Sequence, residues 1–199
     1  MLNKRNIYIS RDDNNELPLK VRDRINIVLL REEVFIKIIK INKKENIEKL
    51  IDKNIDSTFR HYEVLTHYER IKFNCNDYLV IYFIKYYNTL KKIISRNKNL
   101  DIKPYEFTKE FKNKSKGFNI VIKRFKKNIY LVGFINKSIV YTKSFSIDKS
   151  INYYVLECLE YLKEIFIIDD FSLSIEESFY NEDLNKLTRN IKLIKGKVS

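Results

Sequence analysis

The two histidines, the two cysteines and two of the adjacent carboxylate pairs are the residues of this 199-residue chain with the most chemical reach. His61 and His67 stand six apart, on one face if the segment is a continuous strand, and Cys75 lies beyond the next turn. A zinc ion needs three or four ligands converging at about 2.0–2.3 Å, and no fourth candidate accompanies them. Cysteine–histidine nucleophilic catalysis needs an oxyanion hole and an orienting third group, and nothing in the sequence marks either. Asp169-Asp170 and Glu176-Glu177 flank an apolar segment, Phe171 to Ile175. Carboxylates at strand ends can hold two metal ions for phosphodiester hydrolysis, but that arrangement also wants an acid inside the neighbouring strand, and Phe118 to Arg124 has none. The histidines therefore read as strand-edge residues and the acids as turn residues. The sequence assigns no catalytic residue, no metal and no cofactor.

Charge is the stronger signal, and position says more than total. The formal net charge is +13. Residues 85–149 hold 17 basic and only 4 acidic side chains, so the excess sits in the middle third. Part of the lysine content reflects composition: the chain has no Ala, Gln or Trp and is crowded with Lys, Asn, Ile and Tyr, the usage of an A·T-rich coding sequence. The densest run includes Lys112, Lys114, Lys116, Lys126 and Lys127, a candidate contact for an anionic surface. Lysines near an anionic bilayer contribute about 1 kcal/mol each. Tyrosine and phenylalanine interleave with these lysines, which keeps nucleic-acid binding through residues 85–149 as the alternative. The aromatic residues fall in strand-like segments, where they pack regardless, and no helix-turn-helix or zinc-finger spacing is present.

The elements that must position these groups follow from periodicity. Phe118 to Lys123, Ile129 to Ile135 and Ser138 to Ile147 read as three consecutive strands. The middle one is almost unbroken apolar, as in a strand covered on both faces. The third alternates, with Ile139, Tyr141, Phe145 and Ile147 expected on one face. A helix follows over Lys149 to Phe166, then the returning strand Phe171 to Ile175. Earlier, Asn3 to Ser10 suits a short strand, Arg11 to Arg24 a loop, and Ile25 to Leu30 with Val34 to Ile41 a hairpin. Lys43 to Phe59 is expected to be helical. His61 to Ile71 and Tyr78 to Ile84 form a strand pair, Tyr86 to Asn97 a helix, and Asp101 to Phe107 a strand running into a helical turn at Phe111. Glu182 to Ile194 is expected to close the chain as a helix. Mixed hairpins and helices favour a mixed-sheet α/β or α+β chain over a pure doubly wound sheet; the fold class expected is α/β with mixed sheets, divided into two lobes, residues 1–112 and 113–199. A hydrophobic fraction of 44% argues against disorder. No apolar run reaches the ~20 residues of a membrane span, and the start of the chain lacks a secretory apolar core.

Three antiparallel strands, a helix and a returning strand resemble the repeating unit of ribonuclease-H-like and actin-like folds. The order of events over residues 25–195 resembles the actin-like cytoplasmic proteins of type IV pilus and type II secretion machines, the PilM-like and GspL-like proteins. The resemblance is carried by Ile25 to Ile41, Lys44 to Phe59, His61 to Leu65, Tyr78 to Arg96, Asp101 to Tyr105 and Asn119 to Ile147. Nucleotide-binding members carry glycines at the first turn so that backbone amides approach a phosphate. Here that turn is Phe125-Lys-Lys-Asn128, without glycine or acid, and Asp12-Asp13 near the start also lacks glycine. The resemblance thus implies a non-enzymatic docking platform without ATP. It implies a cytoplasmic protein peripheral to the inner membrane, whose partner is the cytoplasmic tail of an inner-membrane assembly protein. That tail is expected between the two lobes, near the edge of the pair His61 to Ile84 or against Lys44 to Phe59. The lysine run adds an anionic membrane surface as a candidate partner, a second copy of the chain is a further candidate, and no specific nucleic-acid complex is expected.

Overall fold

Ile25-Asn-Ile-Val-Leu-Leu30 is a largely apolar segment, and it becomes the centre of a sheet. The computed structural model describes residues 5–10, 25–31, 34–42, 44–59, 64–85, 100–111, 116–146 and 150–196. Strand β2 (Ile25–Leu30) lies between β1 (Arg5–Ser10) and β6 (Leu100–Pro104), all parallel. Ile27, Val28 and Leu29 are at most 1% exposed, the burial of a parallel strand covered on both faces. The expected hairpin with Val34–Ile41 is therefore not formed. Arg31 takes a positive φ of 56°, and the chain passes from one sheet to another. The loop 11–24 and the helix 86–97 lie outside the described residues, as does the expected lobe boundary at 112/113.

The second sheet is antiparallel, in the order β3 (Val34–Ile41), β5 (Asn76–Lys85), β4 (Val64–Phe73). Asn74 and Cys75, with φ of 46° and 62°, form the two-residue turn between β4 and β5, the left-handed pair that a tight hairpin requires. Central strand β5 is buried on both faces: Leu79, Ile81 and Phe83 meet helix α1 (Ile47–Phe59), while Tyr78, Val80, Tyr82 and Ile84 join the main core. Helix α1 starts four residues after the expected Lys43. The Asn46 side chain accepts the backbone N–H of Lys49 at 3.1 Å, an N-cap of about 1 kcal/mol.

The third sheet has the order β11 (Asn190–Ile194), β10 (Ser172–Glu176), β7 (Phe118–Phe125), β8 (Asn128–Ile135), β9 (Ser138–Ser146). Strands β7, β8 and β9 are the antiparallel triplet expected from the sequence, and every residue of β8 is buried. Strand β10 runs parallel to β7. The alternation expected in β9 fails near its start. Ile139 faces Phe134 and Tyr141 faces Gly133, so Val140 is an extra residue in a bulge, and Ile139 and Val140 are both buried. Helix α2 (Ile151–Lys163) closes on β8 and β9 through Val155, Cys158, Leu159 and Leu162. Gly133 permits that approach: a Cβ there would stand 3.2 Å from Tyr141 Cβ and 3.3 Å from Cys158 Sγ.

The expected helix 182–194 is replaced by a 3-10 turn, Glu182–Lys186, and strand β11 (Asn190–Ile194), parallel to β10. Leu184, Leu187, Ile191 and Ile194 recur at helical spacing, which is why the segment reads as a helix. Thr188 overrides that pattern. Its buried hydroxyl donates to the Phe171 carbonyl at 2.6 Å and accepts the Asn190 N–H at 3.1 Å, clipping the chain beside β10.

Candidate functional site

The chemistry-bearing residues picked from the sequence are dispersed. His67 lies exposed on β4 with its ring stacked on Tyr82, centroids 5.9 Å apart. Cys75 is exposed in the β4–β5 turn, and His61 lies outside the described residues. Asp170 accepts the Phe171 N–H at 2.8 Å and the Asn190 side-chain amide at 2.7 Å, the work of a turn residue. Glu176 stands at the opposite end of β10, accepting the Arg124 N–H at 3.0 Å and the Ser178 hydroxyl at 3.2 Å. The two acidic pairs thus do not converge. Among the described residues no group of three or more His, Cys, Asp or Glu could hold a metal.

The lysines divide likewise. Lys116 precedes β7, while Lys126 and Lys127 form the turn after it, so the strand separates them by roughly 25 Å. All three are exposed; Lys112 and Lys114 lie outside the described residues. At the β7–β8 turn Phe125 is held between Tyr105 (4.3 Å between centroids) and Tyr8 (5.3 Å). The Lys126 ammonium lies 5.8 Å from the Phe125 ring centre and 5.9 Å from that of Tyr8. Aromatic side chains thus occupy the end of the hairpin where a phosphate-binding turn would need bare backbone. Below them, burial and then the Glu106 carboxylate push the Tyr130 hydroxyl up to about 12.

A cleft of about 470 Å³ opens between two sheets. One wall is β3 at Val34, Phe35 and Ile36; the other is β9 from Val140 to Ser144. Among the described residues each is the outermost strand of its sheet, so each presents an edge that no other described strand pairs. Arg31 and Glu106 line the cleft where β2 and β6 end, outside the carboxyl ends of parallel strands, the usual place for a ligand crevice. Helix α2 supplies Glu157 and Tyr161. One oxygen of Glu157 accepts both the Tyr141 hydroxyl (2.6 Å) and the Lys143 ammonium (3.2 Å). Burial, followed by the bond to Glu157 and its charge, raises Tyr141 well above an ordinary tyrosine, so it stays a neutral donor. The Tyr161 hydroxyl reaches the Ile36 carbonyl at 3.3 Å.

The cleft offers hydrogen-bonding edges, hydroxyls and paired charges. It suits an extended polar segment. Neither α1 nor β4 lines it; it opens between β3, in the first of the two expected lobes, and β9, in the second. Arg31, Tyr141, Lys143, Glu157 and Tyr161 carried no local signal, because they meet only when two sheets and a helix assemble.

No protein-family model matches the chain, and no curated protein sequence matches it significantly. Solved structures do. The PilM–PilN type IV pilus biogenesis complex aligns at 12% identity over 87% of this chain and 70% of that one, with a TM-score of 0.50. A protein of Bacteroides thetaiotaomicron with an actin-like ATPase fold and unknown function aligns at 13% identity over 86% and 68%, with a TM-score of 0.47. The cytoplasmic domain of EpsL, an inner-membrane component of the type II secretion system of Vibrio cholerae, aligns at 8% over 89% and 67%, with a TM-score of 0.46. The chain has an α/β fold of mixed sheets of the actin-like kind. No helix among the described residues is long and apolar enough to cross a membrane.

Proposed function

We propose that this chain is a non-enzymatic docking component of an inner-membrane assembly of the type IV pilus or type II secretion kind. In this reading it is cytoplasmic and peripheral to the membrane, and it holds an extended cytoplasmic segment of a membrane-anchored partner in the cleft between β3 and β9. The observation that carries the reading is the cleft itself: the outermost described strands of two sheets line it, and its hydroxyls and paired charges can hold an extended segment in a concave site. Two further points support it. Aromatic rings pack the turn that a nucleotide-binding relative would keep open, and the fold is shared with a pilus biogenesis complex.

The test is affinity capture from native membranes with the chain and with a Thr142→Trp variant, whose indole fills the cleft. Recovery of a membrane-anchored partner by the parent chain and its loss with the variant are the expected results. Equal recovery by both, or loss of recovery without dependence on the partner's cytoplasmic tail, would remove the cleft from the reading.

The second reading, nucleic-acid binding, rests on the 17 basic side chains of residues 85–149. It demands that log affinity fall with log salt by about 0.9 per phosphate contact on duplex DNA. Docking of a partner segment in the cleft makes no such demand.

A further inference from the structure

The end of the molecule that carries Lys116 is assembled from four separate pieces of chain. The Asn136 side chain accepts the Gly117 N–H at 3.0 Å, and the Asn136 N–H donates to the Gly117 carbonyl at 2.8 Å, joining the β8–β9 turn to the entry of β7. The Asn136 amide also reaches the Lys72 carbonyl at 3.5 Å, and Asn74 donates to the Ile167 carbonyl at 3.0 Å. The β4–β5 turn and the segment after α2 are thereby drawn to the same end. Phe166, 3% exposed, packs against Phe73 and Tyr78, with centroids 5.6 and 4.8 Å away. With Phe166 committed inward, the next residue turns outward: Ile167 is 75% exposed, more than any other large apolar side chain described. Lys72, Lys116 and Lys137 are all exposed on these connected segments. Asp169 is exposed nearby as well, Asp77 lies opposite Lys72, and Asp170 is occupied with Phe171 and Asn190.

From this juxtaposition we infer that the Lys116 end, not the Lys126–Lys127 end, is the face this protein lays on an anionic lipid bilayer. Lysines at a turn surface gain from anionic head groups, and a projecting isoleucine gains from the apolar boundary beneath them. A nucleic-acid backbone would use the lysines and gain nothing from Ile167, so the isoleucine selects the bilayer. The inference rests on the peripheral-membrane part of the proposed function and adds an orientation. Val140, where the cleft begins, is three residues along β9 from Lys137, roughly 10 Å. A membrane-anchored partner would then need only a short cytoplasmic segment to enter the cleft.

The test is co-sedimentation of the full chain with vesicles of phosphatidylcholine mixed with phosphatidylglycerol, and with phosphatidylcholine alone. Binding is expected only to the anionic vesicles. At about fivefold in partitioning per lysine, the combined substitution Lys72→Glu, Lys116→Glu, Lys137→Glu should reduce it by more than about a hundredfold. Ile167→Asp should reduce it by about tenfold or more, and Lys126→Glu with Lys127→Glu should leave it nearly unchanged. If the triple glutamate variant does not fold, the glutamine triple serves, with a smaller loss expected. Absence of anionic-vesicle binding, or loss on changing Lys126 and Lys127 with none at Ile167, overturns the inference. So does binding to a duplex oligonucleotide through the same three lysines with Ile167→Asp silent towards vesicles. Membrane-partner capture by the triple variant in detergent should persist, which separates failure of this face from failure of the cleft.

Discussion

The hydroxyl of Tyr82, on the central strand of the antiparallel sheet, lies 2.8 Å from the carbonyl oxygen of Ile139 at the start of β9. The same hydroxyl meets the Glu69 carboxylate, whose other oxygen accepts the Ser138 hydroxyl at 3.0 Å. One buried side chain therefore ties the two sheets that frame the cleft. Tyr82→Phe keeps the ring and its edge contact with Phe107 but removes the one hydroxyl proton that the Ile139 carbonyl and the Glu69 carboxylate share. A loss of about 1–3 kcal/mol is expected. It should appear as a lower midpoint in urea unfolding at unchanged slope, and partner recovery should fall if the cleft depends on the two sheets keeping their relation.

Alkali should unfold this protein sooner than its neutral-pH stability suggests. Burial is the first cause raising the hydroxyls of Tyr82, Tyr105 and Tyr141, and it raises Tyr130 to about 12. An unfolded tyrosine titrates near about 10. Above that pH the folded state holds more protons than the unfolded state, so unfolding free energy falls with rising pH. The stabilisation is complete below about pH 10 and is lost as pH climbs through the folded values. Denaturation midpoints measured across pH 8 to 11.5, roughly the span that straddles the ordinary tyrosine range, should be flat and then decline. Tyr82→Phe should decline less steeply.

Gly133 is fixed by close approach. Substitution by alanine puts a methyl 3.2–3.5 Å from Tyr141, Cys158 and Leu162, tight enough that α2 must shift. Overpacking of this kind costs about 1–3 kcal/mol, and valine should cost more. Thermal unfolding of the two variants, in that order of stability, checks it.

Nucleotide binding is expected to be negligible. The β7–β8 turn presents Lys126 and Lys127 above packed aromatic rings and offers no glycine nest of amides to a phosphate. Calorimetric titration with ATP and magnesium should give no heat of binding; a low-micromolar dissociation constant would overturn this expectation.

The antiparallel triplet β7 to β9, α2 and β10 were readable because each is specified locally. Continuous apolar runs, a three-to-four residue stripe and short polar turns all act within a few residues. The misreadings share one cause. Ile25–Leu30 and Val34–Ile41 are both good strands three residues apart, and nothing local says that one joins a parallel sheet while the other crosses to an antiparallel one. Residues 182–194 carry a helical stripe, and a single hydrogen-bonded threonine, Thr188, turns the segment into an edge strand. Intrinsic preference was the weaker force in both places.

By itself, then, the sequence determined the triplet β7 to β9 with the helix and strand that follow it, where the charge lies, and that the β7–β8 turn lacks glycine. Those are properties of neighbours in the chain. Only the tertiary structure decided that β3 and β9 would face each other across a cleft and that Glu157 would bind Tyr141 and Lys143 together. It also decided that the lysines of one run would part to opposite ends of a hairpin while Lys72 and Lys137 joined Lys116. Each outcome depends on which strand pairs with which. That choice is settled by burying the faces of three sheets at once, a free energy summed over the whole core rather than written in any short stretch of residues.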